Sequence, residues 1–176
     1  MSKKLNVHKI AFLSVMLALA IVLGYVESFI PSWVPGVKPG LANLVIIILL
    51  YTFPFYDALL VSLLRVFVVA LLRGTIFQMP FYMSLTGALL SFALMVLAKY
   101  LLKFLTIYGV SLLGAYAHTL GQIIIACIFT ETTAAFYYFP FISLISLASG
   151  LLTAFVADRL LLSEPIRRLK EEDQES

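Results

Sequence analysis

The sequence predicts an all-α integral membrane protein of six transmembrane helices, and two observations carry that prediction. Of its 176 residues, 62% are hydrophobic and only 12% charged, about half the charged share of an ordinary soluble domain. The apolar residues also fall into successive runs separated by short junctions rich in charge, proline or glycine. About 20 apolar residues are what a helix needs to cross roughly 30 Å of hydrocarbon. At this length one domain is expected over 1–176, because a second core of useful size would not fit.

Taken in order, residues 10–26 form the first span, preceded by Lys3 and Lys4. No small-residue cleavage site follows it and further apolar segments succeed it, so it is expected to stay in the chain rather than leave as a signal peptide. The stretch 27–40 holds three prolines, two glycines and the only tryptophan, which predicts an irregular interfacial loop with Trp33 at headgroup level. The second span, 41–53, is short for a full crossing, and a broken helix is expected there. Residues 55–72 make the third span, interrupted by Arg65 and ended by Arg73-Gly74-Thr75. The fourth, 83–102, closes on Lys99 and Lys103; the fifth, 110–129, carries His118 and Gln122. The sixth, 141–162, runs into a charged tail over 164–176, expected to be solvated.

With six spans, Lys3, Lys4, Lys9, Lys99, Lys103, Arg159, Arg167, Arg168 and Lys170 gather on one side, nine of the twelve basic residues. The bias of Lys and Arg toward the cytoplasm then puts both termini inside, in the cell inner membrane. Five spans would leave one basic terminus outside. The net charge of +3 comes from clusters at the two ends, a distribution suited to lipid headgroups and not to nucleic acid. Cys127 is the only cysteine, so there is no disulfide framework, and metal binding is not expected. No phosphate loop, dinucleotide fingerprint, nucleophile elbow or zinc helix is present, nor the aspartate-rich motifs with which prenyl diphosphate synthases hold magnesium. The chain is read as no enzyme and as needing no cofactor.

The residues that carry chemistry are few. Arg65 lies well inside a span, where a charge costs about 2.5–3.5 kcal/mol, so it must face a cavity or a partner. Arg73, eight residues on, returns to nearly the same face. Two guanidinium groups so placed suit carboxylate or phosphate; the competing reading has Arg73 reaching the interface and Arg65 paired with Glu27 or Glu131. The loop Pro35-Gly36-Val37-Lys38-Pro39-Gly40-Leu41-Ala42-Asn43 leads into the short second span. Its glycines, Lys38 and the amides of the following helix end would make an anion site of the kind broken transporter helices provide; otherwise it is an external loop whose Asn43 bonds a neighbouring helix. Ser111, Gly114, His118 and Gln122 recur at helical spacing as one polar stripe. Ligand contact and bonding across the bundle stay open for it. On the first span, Ser14 and Ala18 stand four apart and permit close helix packing.

With Glu27 and Ser28 before it, Arg65 and Gly74 after it, and His118 and Gln122 further on, the run from Pro35 to Leu44 gives the chain its resemblance. Over Lys9 to about Leu162 it resembles the bacterial family labelled both "Gx transporter" and "heptaprenyl diphosphate synthase component I". That family in turn looks like the substrate-binding S components of energy-coupling factor (ECF) transporters, six-helix membrane proteins that bind vitamins. Pro39 stands where the family usually has a large aliphatic residue, and Thr119 where asparagine is common. The resemblance implies a coupling transmembrane subunit and two cytoplasmic ATPases as partners, with Ser14 and Ala18 the nearest match to the small residues that dock on the coupling subunit.

The expectation is therefore a substrate-capture subunit of an uptake transporter for a small anionic metabolite or vitamin. Its site would be built from Lys38, Asn43, Arg65, Arg73, His118 and Gln122. The rival is a membrane accessory subunit of isoprenoid diphosphate synthesis, in which the same cations hold a diphosphate. A ligand-free membrane scaffold is the third possibility.

Overall fold

The computed structural model describes residues 7–29, 38 and 40–168. The expected headgroup position of Trp33, most of the proline-rich loop including Pro39, the N-terminal Lys3 and Lys4, and the tail beyond Arg168 lie outside the described residues. Among these there are seven helices and no strand. Six are substantial: α1 (Val7–Glu27), α2 (Asn43–Thr52), α3 (Phe55–Leu72), α4 (Met79–Leu101), α5 (Ile107–Thr130) and α6 (Ala135–Leu161). The seventh, α7, is a short turn over 164–168. All but α2 and α7 are long and apolar enough to cross a bilayer.

The breaks between helices follow from local chemistry. Pro54 has no amide to donate and forces the residue before it out of the helical region, so Phe53 is extended at φ −120°, ψ 170° and α2 stops. The same proline opens α3. At the other end of α3, Gly74 takes φ +63°, its amide bonds Leu71 O and the Thr75 amide bonds Ala70 O, a left-handed glycine closure. Pro80 sits in the first turn of α4, where its missing amide leaves no bond unmade.

The second span is short, as expected, while the number of helices of crossing length and the start of the sixth helix differ from the sequence reading. The second span is a helix of only ten residues, about 15 Å at 1.5 Å per residue and half a hydrocarbon core; five helices, not six, have crossing length by themselves. The sixth helix begins at Ala135 instead of 141, because Pro140 lies close to the helix start and removes a single backbone bond without stopping it.

Side-chain contacts fix the direction of each helix. Lys9 near the start of α1 pairs with Asp57 near the start of α3 at 2.8 Å, while Gly24 near the end of α1 abuts Val69 and Arg65 in the second half of α3. Since α1 and α3 run the same way, the segment between them must return along the bundle, and α2 is that return. Leu41, just before it, meets Glu27, and Phe53, just after it, packs on Phe12. α4 descends from Phe67 to Leu50, α5 rises from Asp158 to Tyr82, and α6 descends again past Tyr116. The six helices alternate, and Lys9, Lys99 and Asp158 share one end.

Burial is inverted relative to a soluble protein. The outer faces expose Val15 and Val22 of α1, Leu60 and Leu71 of α3, and Leu144 and Phe155 of α6, an apolar jacket far beyond the patches a soluble monomer shows. With five candidate spanning helices, the chain is a multi-pass membrane protein. α2 is the core: Val45 to Leu50 are all buried, and the helix touches each of the other five. Its C-terminal carbonyl at Leu50 accepts the Lys99 ammonium at 2.6 Å. Replacing Lys99 with Met strands that carbonyl, and is expected to destabilise the bundle by about 1.5–3 kcal/mol, the range for a charge-assisted hydrogen bond. Thermal unfolding of the two proteins in one detergent checks this, with Lys99→Arg retaining most of the stability.

Candidate anion-binding site

Above the start of α2, at the end of the bundle opposite Lys9 and Lys99, the ends of α1 and α3, the start of α4 and the middle of α5 leave a cavity with an inner volume of about 30 Å³. That is room for about two water molecules. Lys38, Arg65, Arg73 and His118 line it, together with the carboxylate of Glu27 and the hydroxyls of Thr75 and Ser84. One side is apolar, formed by Val66, Val69 and Phe81.

Each group is held by its element. Glu27, the last residue of α1, is 3% exposed. Its Oε1 accepts the amides of Gly40 and of Leu41, the latter at 2.9 Å. The carboxylate thereby closes the entrance to α2, whose own N-cap, Ala42, offers no side-chain bond. The sequence expectation that these amides would face a ligand is overturned, since an internal carboxylate already holds them. A ligand is left the side-chain cations.

Lys38 is tied at both ends. Its amide donates to Gln122 Oε1 at 3.1 Å and its ammonium to Ser84 Oγ at 3.4 Å. Burial pushes the ammonium down to about 8, Glu27 opposes that shift, and Arg73 and Arg65 reinforce it. Arg65 is 5% exposed, and its Nε has no hydrogen-bond partner. No carboxylate of the described residues lies within 4.0 Å of the Arg65 guanidinium. Arg73, at the cap of α3, is half-buried at the cavity edge. The eight-residue spacing thus brings both arginines to one cavity. Glu27 shares that cavity without forming an ion pair, and Glu131 borders a separate open groove with Cys127 and Thr132.

The polar stripe of α5 divides in two. Ser111 bonds Gly150 O at 2.8 Å and meets Thr153, which is a link between helices. His118 and Gln122 are buried, and His118 Nδ1 and Gln122 Nε2 lack partners. Asn43 lies beside them, but its amide donates to Ser91 Oγ at 3.0 Å, so its bond runs across the bundle. Thr119 bonds Ser146 at 2.5 Å and points away from the cavity. Ser14 and Ala18 are exposed on the outer face of α1, far from this site, with Ser14 Oγ turned to Ile10 O.

Sequence reasoning missed Ser84 and Thr75. Ser84, Gly87 and Ser91 recur on α4 at three and four residues, a small polar stripe complementary to that of α5, and this signal was readable. Glu27 was noticed as a possible ion partner and not as the cap of a helix 16 residues later. That role is tertiary and has no local mark.

A family model for heptaprenyl diphosphate synthase component I matches residues 16–160, from within α1 to the end of α6. The chain belongs to that family. No curated protein and no solved structure matches the chain. In this family member the matched region contains the whole cationic cavity.

His118 is kept in place by a close approach of α4 to α5. A Cβ on Gly87 would stand 2.9 Å from His118 O and 3.1 Å from both the Gln122 Cγ and the His118 ring. Gly87→Val is therefore expected to cost about 1–3 kcal/mol by overpacking, with the α4–α5 pair forced apart. Thermal unfolding reads the loss, and a Leu89→Val control on the exposed face of α4 is expected to change little.

Proposed function

We propose that this chain is the substrate-binding membrane subunit of an uptake transporter, taking a small anionic metabolite into the cavity from outside the cell. The observation that carries the reading is a charge imbalance. Three cationic side chains line the cavity against one carboxylate, and that carboxylate is already held by two backbone amides. Leaving a buried charged donor unsatisfied costs about 1–3 kcal/mol or more, so an arriving anion gains what the protein itself does not supply.

The alternation of the helices supports the same reading. α1 to α6 alternate in direction, with Lys9, Lys99, Lys103 and Arg159 toward one end and Lys38 and Arg73 toward the other. By the positive-inside bias the first end is cytoplasmic, in the cell inner membrane, and the cavity opens outward. We place both termini inside, with α2 taken as the second of six passes. The likeness to ECF S components supplies the remainder of the proposal: a coupling transmembrane subunit and two ATPases as partners, Ser14 and Ala18 on the docking face of α1, and no catalysis by this chain.

The family label favours a second reading, an accessory subunit that holds an isoprenoid diphosphate by the same cations while a separate chain does the chemistry. Co-purification separates the two: transport predicts ATPase and coupling subunits, the accessory role a soluble prenyl synthase.

Native mass spectrometry of protein extracted in mild detergent is expected to show a retained anion that Arg65→Ala loses while remaining folded; retention by the variant sinks the site assignment. Lys38 adds a pH signature. Its ammonium is charged below about 8 and neutral above, so anion affinity is expected to hold on the acid side and fall as pH rises through that value. A titration series across pH reads this, and Lys38→Met is expected to give a weaker, flat profile.

A further inference from the structure

The charge inventory of the cavity says more than its sign. Lys38, Arg65 and Arg73 outnumber Glu27 by two positive charges. A monoanion would leave one positive charge in excess beside the apolar Val66, Val69 and Phe81, an unfavourable setting for an unpaired charge. The inner volume of about 30 Å³ admits a compact head and not a chain that separates two carboxylates. Two neutral hydroxyls, on Thr75 and Ser84, also line the cavity. Arginine forks and hydroxyls together match an oxyanion whose charge is spread over several oxygens of one atom.

We propose that the ligand presents a single compact dianionic head of the phosphoryl or sulfuryl type, and that Glu27 is the residue that sets this charge requirement. The inference rests on the anion-capture reading above. Glu27 does so by standing within the cavity as a fixed negative charge held on the Gly40 and Leu41 amides. Without its charge the cavity would call for a trianion. A soluble phosphomonoester and the headgroup of an anionic lipid such as phosphatidic acid share this chemistry.

The test uses the full chain in phosphatidylcholine nanodiscs at neutral pH and constant ionic strength. Thermal unfolding is followed against sulfate, inorganic phosphate, succinate and acetate, since a ligand of the folded state stabilises by mass action. Sulfate and phosphate are expected to bind at least tenfold more tightly than acetate or succinate, and Arg65→Ala to abolish the difference. Glu27→Gln keeps an oxygen for the two amides; in that variant the preference for sulfate over acetate is expected to widen at least fivefold. Acetate binding as well as sulfate, with both lost in Arg65→Ala, overturns the dianion proposal and leaves anion capture standing. No stabilisation by any anion that depends on Arg65 overturns both. An unchanged sulfate to acetate ratio in folded Glu27→Gln overturns the role of Glu27. Adding a small fraction of phosphatidic acid to the nanodiscs then separates the sources, since competition with sulfate points to a lipid headgroup and its absence to a soluble ligand.

Discussion

A helix that ends inside a membrane protein must have its last amides and carbonyls satisfied there, because no water reaches them. The five long helices are of bilayer-crossing length. α2 is not, and its first and last residues, Asn43 and Thr52, are both buried in the bundle. Glu27 takes the amides before its first turn, and Lys99 takes the Leu50 carbonyl near its last. The signs are those the helix dipole favours, negative at the start and positive at the finish.

Polar groups in the bundle interior sort into two kinds by whether their bonds are complete. Ser111 with Thr153, Thr119 with Ser146 and Asn43 with Ser91 are closed pairs that join helices, and each satisfies a buried hydroxyl or amide. Arg65, His118 and Gln122 each keep an unpartnered nitrogen, and all three are gathered about Lys38 and the cavity. Buried groups of the first kind stabilise the fold. Groups of the second kind detract from it. Ser143 and Ser149 of α6 are also unpartnered, but the unpartnered nitrogens all meet around the cavity, and that concentration is what distinguishes a site from a core.

Much of this was legible in the sequence. The spacing of Arg65 and Arg73 gives a shared face because helical geometry is local, and the largely apolar run from Phe55 marks that helix. The shortness of α2 was readable from Pro54 and from the count of residues after Gly40. The helix starts at Val7, Met79, Ile107 and Ala135 were less so, since helices continue past the apolar window into the interface, where composition no longer marks them. The role of Glu27 was hidden for a different reason. A carboxylate that caps a helix across a loop carries no spacing rule, and only the parallel packing of α1 on α3 puts it above α2. Ser84 reached the site in the same way, through the glycine contact that draws α4 onto α5.

The surplus of positive charge is thereby tied to the fold. Glu27 is the acidic group nearest to balancing Arg65, and it is committed to the amides that start α2. Turning fully to the guanidinium would leave Gly40 and Leu41 with buried, unpaired donors; staying leaves Arg65 with an unpartnered Nε. One carboxylate cannot satisfy both demands, so the end of α2 and the cations compete for it. An external anion resolves the competition by answering the cations and leaving Glu27 to the helix. Ligand binding and the seating of α2 are on this account stabilising one another, through a single side chain at the junction of α1 with the core.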